Sequence, residues 1–151
     1  MPEITTFLTY DKQAEEAVHH YLSVFESGKI TNTTRAAGTV FSVTFELFGR
    51  TFIALNGGPT FKFSNGISLF VSCDTQAEID RYWSGLVADG GKEVQCGWLV
   101  DRFGVSWQIV PSILPELLSD PDPEKSGRVM ESMLQMKKID VQELERAAAG
   151  E

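Results

Sequence analysis

The chain has 151 residues with 13 Lys and Arg against 21 Asp and Glu, a formal charge of -8. That length is most simply one domain, expected over 1–151, and long enough to bury a real core. The acidic balance excludes a nucleic-acid surface and docking on anionic membranes, both of which need clustered cations.

In chain order, the first β-rich run is Ile4–Tyr10. Asp11 follows, suited to a helix N-cap. From Gln13, Ala14, Ala17, Val18, Tyr21 and Phe25 recur at helical spacing, which predicts one buried helix face. Gly28 stands where a C-cap is expected. Three strands follow, near Ile30–Arg35, Val40–Phe48 and Thr51–Leu55. The middle one alternates Phe41, Val43, Phe45 and Leu47 with Ser42, Thr44 and Glu46.

The pattern then repeats. At a shift of 63 residues, Ile4, Phe7, Asp11, Gln13, Ala14 and Glu15 recur as Ile67, Phe70, Asp74, Gln76, Ala77 and Glu78. F-G-R-T-F-I from Phe48 lies over F-G-V-S-W-Q from Phe103 at a shift of 55, so the first copy has the longer middle hairpin. The second copy predicts a strand over Ile67–Cys73, a helix over Gln76–Val87 ending near Gly90-Gly91, and strands over Glu93–Gln95, Gly97–Val100 and Val105–Val110. The fold class is α+β: two β-α-β-β-β repeats, 1–60 and 61–112, forming a curled mixed sheet with outer helices.

A helical tail occupies 113–151. S-I-L-P-E-L-L from Ser112 reads as a short helix. Glu124–Lys137 places Val129, Met130, Met133 and Met136 at helical spacing, after the solvated turn S-D-P-D-P-E. Asp140 and Glu143 form a D-x-x-E capping box for a last helix over Val141–Ala149. The tail is expected to cover a sheet edge, to reach across a dimer, or to be an ordinary intrachain helix; its Met-rich face suits irregular surfaces.

Candidate chemistry is sparse. Cys73 and Cys96 are too few for a disulfide scaffold or a zinc cluster; in strand-like surroundings both read first as small buried hydrophobes, with a reactive thiol or a redox pair as the alternative. His19 and His20 are adjacent on the first helix and cannot chelate from one face. No histidine falls on a predicted strand to activate Ser or Cys. No Gly-rich loop of a nucleotide-binding fold is present. No apolar run approaches a membrane span, and M-P-E-I-T has no leader character, so the protein is expected to be cytoplasmic.

The duplicated unit, together with F-S-N-G-I-S-L-F-V-S from Phe63, Q-A-E-I-D-R-Y-W from Gln76, C-G-W-L-V-D-R-F-G-V-S-W-Q from Cys96 and the tail M-L-Q-M-K-K-I-D-V-Q-E-L-E from Met133, resembles over nearly its whole length the PhnB-like branch of the vicinal oxygen chelate (glyoxalase/bleomycin-resistance) superfamily, also described as "demethylubiquinone methyltransferase-like". The resemblance implies a concave sheet face holding a ligand, and a homodimer. It also raises a metal, which many relatives hold with His, Gln or Glu on the first and last strands of each unit. The matching positions here are Gln108, four residues after Gly104, Ile53, four after Gly49, Gly66 or Ile67 at the fifth strand, and Thr5, Phe7 or Thr9 on the first. Gln108 is the one plausible ligand among them, so no metal and no cofactor are expected.

If Gln108 faces the ligand, so do Ser106 and Val110, while Val105, Trp107 and Ile109 face the helices. The resemblance and the repeat bring Ser68, Phe70, Ser72, Thr5, Phe7, Thr9, Thr51, Ile53 and Leu55 to the ligand side, with Phe52 in the core. Trp98 depends on the turn: a four-residue turn sends it to the core, and a three-residue turn with Gly104 as the bulge sends it to the ligand side. The expected ligand-binding set is Gln108, Ser68, Phe70, Thr5, Phe7, Ile53 and Trp98; no catalytic residue is assigned. The reading is a metal-free binding protein for a small organic ligand. The alternatives are a lyase-, isomerase- or dioxygenase-type enzyme of the superfamily, or an interaction module whose cup its own tail fills.

Overall fold

The computed structural model describes residues 1–151. It divides into two units, Met1–Phe63 and Ser64–Glu151, each built on its own four-stranded mixed sheet, and neither sheet closes into a barrel.

The first unit runs β1 (Thr6–Tyr10), α1 (Ala14–Phe25), β2 (Lys29–Ala36), β3 (Thr39–Leu47) and β4 (Arg50–Asn56). Its sheet order is β1-β4-β3-β2, with β1 parallel to β4 and the remaining pairs antiparallel. The alternation in β3 has the predicted consequence: Val43, Phe45 and Leu47 are buried, while Phe41, near the hairpin end, stays exposed. Against them lie Ala14, Ala17, Val18, Tyr21 and Phe25 of α1. Phe45 stacks on Phe52 with centroids 5.3 Å apart, and full burial of such a ring contributes roughly 2–3 kcal/mol.

Two expected caps are corrected. Asp11 does not cap α1; Gln13 holds that position without a side-chain bond, and the Ala14 N–H donates to Asn56 Oδ1 at 2.8 Å. A group from the neighbouring strand therefore satisfies the orphan donor that a local cap would have taken. The helix ends at Glu26, in the left-handed region at φ 50°, rather than at Gly28. Gly28, at φ +101°, answers a different demand, because a Cβ there would lie 1.8 Å from the Glu46 carbonyl oxygen.

The second unit repeats the plan with β5 (Leu69–Cys73), α2 (Gln76–Val87), β6 (Lys92–Glu93), β7 (Trp98–Val100) and β8 (Ser106–Pro111), ordered β5-β8-β7-β6. The N-cap of α2 is Thr75, not Asp74, and Thr75 forms a complete capping box with Glu78. Leu99, Trp107 and Ile109 are buried on the side of α2, with Ile79, Tyr82, Trp83 and Leu86. Cys73 is buried as expected. Cys96 is not in a strand: it stands at φ 61° in the turn before β7 and is only half-buried. The expected strand over Glu93–Gln95 shortens to Lys92–Glu93.

The tail folds as α3 (Ile113–Leu118), α4 (Pro123–Leu134) and α5 (Val141–Ala149) within the second unit. Asp122 and Asp140 cap α4 and α5. Leu114, Val129, Ile139 and Leu144 form a second core around Val110. The segment before α5 is stitched to the sheet: the N–H groups of Cys96 and Gly97 donate to the carbonyls of Met136 and Lys137, both at 2.8 Å. Gln76 holds it from the other side, donating to the Ile139 carbonyl at 3.0 Å and accepting from the Val141 N–H at 2.8 Å. No helix is long and apolar enough to cross a membrane.

Candidate functional site

The D-R-F-G turn fixes the site of the second unit. Asp101 Oδ1 accepts from the N–H groups of Phe103 and Val105 at 2.9 and 3.0 Å, and Oδ2 accepts from Trp107 Nε1 at 2.9 Å. Asp101 N–H bonds the Val105 carbonyl, which leaves three residues in the turn, with Gly104 at φ +96°. The three-residue alternative is therefore realised. Leu99 pairs with Trp107 and Trp98 with Gln108, so Trp98 lies on the face of Gln108 and Trp107 lies toward α2.

On β5, Phe70 also pairs with Gln108. Three strands thus carry one row, Phe70, Gln108 and Trp98, on the face opposite α2. Phe70 is 54 % exposed, and Gln108 and Trp98 are half-buried. Ser68 stands just before β5, and its Oγ accepts from Gln108 Nε2 at 2.9 Å.

Gln108 is the one residue of β8 that is not buried. Its neighbours on the same face are covered: Ser106 donates to Asn65 Oδ1 at 3.2 Å, and Val110 lies in the tail core. Both lie on the expected face, but neither is open.

In the first unit, Phe7 pairs with Ile53 on β4, and Ile53 pairs with Thr44 on β3. This row lies opposite the face packed on α1. Phe7 is 53 % exposed and Ile53 is half-buried. Thr5 is exposed just before β1. The pair Phe7–Ile53 is the repeat image of Phe70–Gln108, since 7 plus 63 is 70 and 53 plus 55 is 108. The two sets belong to separate units.

The donor set does not fit a resident divalent metal. Gln108 brings one amide already bonded to Ser68, Ile53 and Phe70 bring no donor atom, and no three His, Cys, Asp or Glu side chains converge elsewhere. Burial, with the charges of Glu78 and Asp74, pushes the Cys73 thiol up to about 12, which leaves it a protonated core group.

Sequence reasoning missed Asp101, Asn65 and Gln76. The D-x-x-G spacing signalled an Asx-type turn at Asp101. Nothing local signalled Asn65 or Gln76, whose partners lie 41 residues and 63–65 residues away. Also unforeseen is a cleft of about 540 Å³ between the start of α2, the end of β8 and the start of α5, lined by Asp74, Asp80, Lys138, Asp140 and Glu145 among others.

Two β-α-β-β-β units on separate mixed sheets, each with its helix on one face, define the glyoxalase/bleomycin-resistance class of fold. Solved structures agree: a glyoxalase/bleomycin resistance protein from Albidiferax ferrireducens has TM-score 0.52 at 13 % identity over 72 % of this chain and 97 % of its own. A Pseudomonas aeruginosa protein has TM-score 0.59 at 18 % identity, over 74 % and 98 %. A Bacillus cereus PhnB protein, carrying a 3-demethylubiquinone-9 3-methyltransferase name, is 34 % identical over 73 % of this chain and 99 % of its own, with TM-score 0.67. The chain belongs to the PhnB-like family described as 3-demethylubiquinone-9 3-methyltransferase, whose model matches residues 2–110. No curated protein matches it. Residues 111–151, which hold the three tail helices, lie beyond the family match, so, contrary to expectation, the match does not extend to the tail motif from Met133.

Proposed function

We propose that the protein binds a small organic ligand on the sheet faces turned away from α1 and α2, with Gln108 as the polar anchor and no resident metal. The observation that carries this is the burial pattern of β8, where every residue but Gln108 is covered. A half-open amide beside a 54 % exposed phenylalanine is an apolar surface with one polar fixer, the composition of small-molecule sites. Ser68, Phe70 and Trp98 share this role in the second unit, and Thr5, Phe7 and Ile53 in the first. The working form is a homodimer.

Methyl transfer, which the family description names, is not the proposed activity. Neither sheet has the doubly wound parallel order, and no Gly-rich loop opens a helix for a nucleotide-like cofactor.

The test follows the side-chain amide resonance of Gln108 by NMR while a chemically broad set of small molecules is added. A shift confined to Gln108 and its row, with a rise in thermal midpoint, supports binding. No shift with any compound, or one tightly held divalent metal per chain in protein purified without chelators, overturns the reading.

A further inference from the structure

We infer that the ligand is an uncharged planar ring system with a cyclic-amide edge, a neighbouring C=O and N–H, seated over Gln108 between Phe70 and Trp98. This rests on the binding reading above and names the chemical class it takes.

The row supplies the geometry. Phe70, Gln108 and Trp98 sit directly across from one another on β5, β8 and β7. Adjacent strands are about 4.8 Å apart, so the two aromatic residues stand roughly 9.5 Å apart at the backbone. Carbon atoms in good contact lie about 3.5–4.0 Å apart. One ring therefore fits between the two walls, and two do not. Both flanking side chains are aromatic, which favours a flat aromatic guest over an aliphatic one.

Gln108 sets the edge. One amide N–H is committed to Ser68, while the other N–H and the carbonyl oxygen have no protein partner. A free donor and a free acceptor on one planar group match a ligand that offers the reverse pair at the same spacing. The row contains no ionisable side chain. The register puts one charged residue on this face of the sheet, Lys92 on the edge strand β6, opposite Val100. By strand spacing it is roughly 12 Å from Gln108, and it is exposed to water, so it neither demands nor neutralises a charge at the row. A charged ring would lose its hydration here without a partner.

The experiment titrates the full chain with three probes of one size: quinolin-2-one, its N-methyl derivative and 2-naphthoate. The expected result is that quinolin-2-one shifts the Gln108 side-chain resonance and binds about tenfold more tightly than the N-methyl compound, the worth of one hydrogen bond. 2-Naphthoate binds more weakly than either. Gln108→Leu abolishes the preference for the N–H while ring binding remains. Phe70→Ala and Trp98→Ala each weaken both quinolones by about five- to tenfold. Phe70 is largely exposed, so Phe70→Ala retains the fold and keeps the test readable if Trp98→Ala does not.

Equal binding of the two quinolones, or tighter binding of 2-naphthoate, overturns the inference. If no flat probe binds but an aliphatic compound shifts the Gln108 resonance, the ligand class is wrong and the binding reading stands. If nothing shifts it, both fall.

Discussion

Trp107 donates its indole N–H to Asp101 Oδ2 at 2.9 Å, and that bond ties the closing hairpin of the second unit to its core. Asp101 is 3 % exposed and accepts two backbone N–H groups besides. Asp101→Ala leaves three donors unmet and costs about 2–4 kcal/mol. Asp101→Asn is not a rescue, because an amide oxygen can keep the backbone bonds while its NH₂ meets the indole N–H donor to donor. Urea denaturation of both variants checks this; an asparagine variant as stable as the parent contradicts it.

Trp107 and Gln108 are neighbours with opposite faces, and their substitutions separate accordingly. Trp107→Ala empties a fully packed site and costs about 3–5 kcal/mol. Gln108→Ala removes one half-buried hydrogen bond to Ser68 and costs about 1 kcal/mol or less. Equal losses in chemical denaturation contradict the assignment of faces.

The tail is held through Asp80 as well as Gln76. Lys138 Nζ lies 2.8 Å from Asp80 Oδ1, and hydrogen bonds from Lys138 and then Gln76 hold the Asp80 carboxyl below its ordinary 3.8. A depressed folded pKa stabilises fully above the ordinary value and is lost as pH falls through the depressed one. Hydrogen exchange of the Cys96, Gly97 and Val141 amides is therefore expected to quicken, relative to the α2 core, as pH drops below the carboxylate range. Asp80→Asn removes that pH dependence. Gln76→Ala quickens the Val141 amide at every pH, since its acceptor is gone.

The two thiols differ in reactivity. Cys73 is buried and its thiol is pushed up to about 12, whereas Cys96 is half-buried in a turn. Iodoacetamide at neutral pH is expected to label Cys96 in the native protein and Cys73 only after unfolding, as read by peptide mass spectrometry. The raised Cys73 pKa also means that its contribution is complete below the ordinary thiol value and declines as pH rises toward 12.

The fold was legible because its signals are periodic. The alternation of β3, the helical spacing of Ala14, Ala17, Val18, Tyr21 and Phe25, and the two repeat shifts gave the element order and put Phe7, Ile53, Phe70 and Gln108 on one kind of face; the pairings Phe7–Ile53 and Phe70–Gln108 came only with the structure. The caps were not, because Asn56 reaches Ala14 from 42 residues away and displaces the local signal of Asp11. The facing of Trp98 could not be read without the Asp101 hydrogen bonds, which choose the three-residue turn. The covering of Val110 by Leu114, Val129, Ile139 and Leu144 was hidden for a similar reason: hydrophobic spacing says that a helix has a buried face, not what it is buried on.

Gln108 is the free position of a strand otherwise fixed by packing. Five of the six residues of β8 answer to the core, the turn loop or the tail, and mutation there is paid in stability. At position 108 the fold asks for a residue compatible with a strand and gains one half-buried hydrogen bond, to Ser68. Substitution at this one position is therefore expected to cost the fold little. The corresponding isoleucine of the first repeat, Ile53, is half-buried too, but in a strand where Ala54 alone is buried.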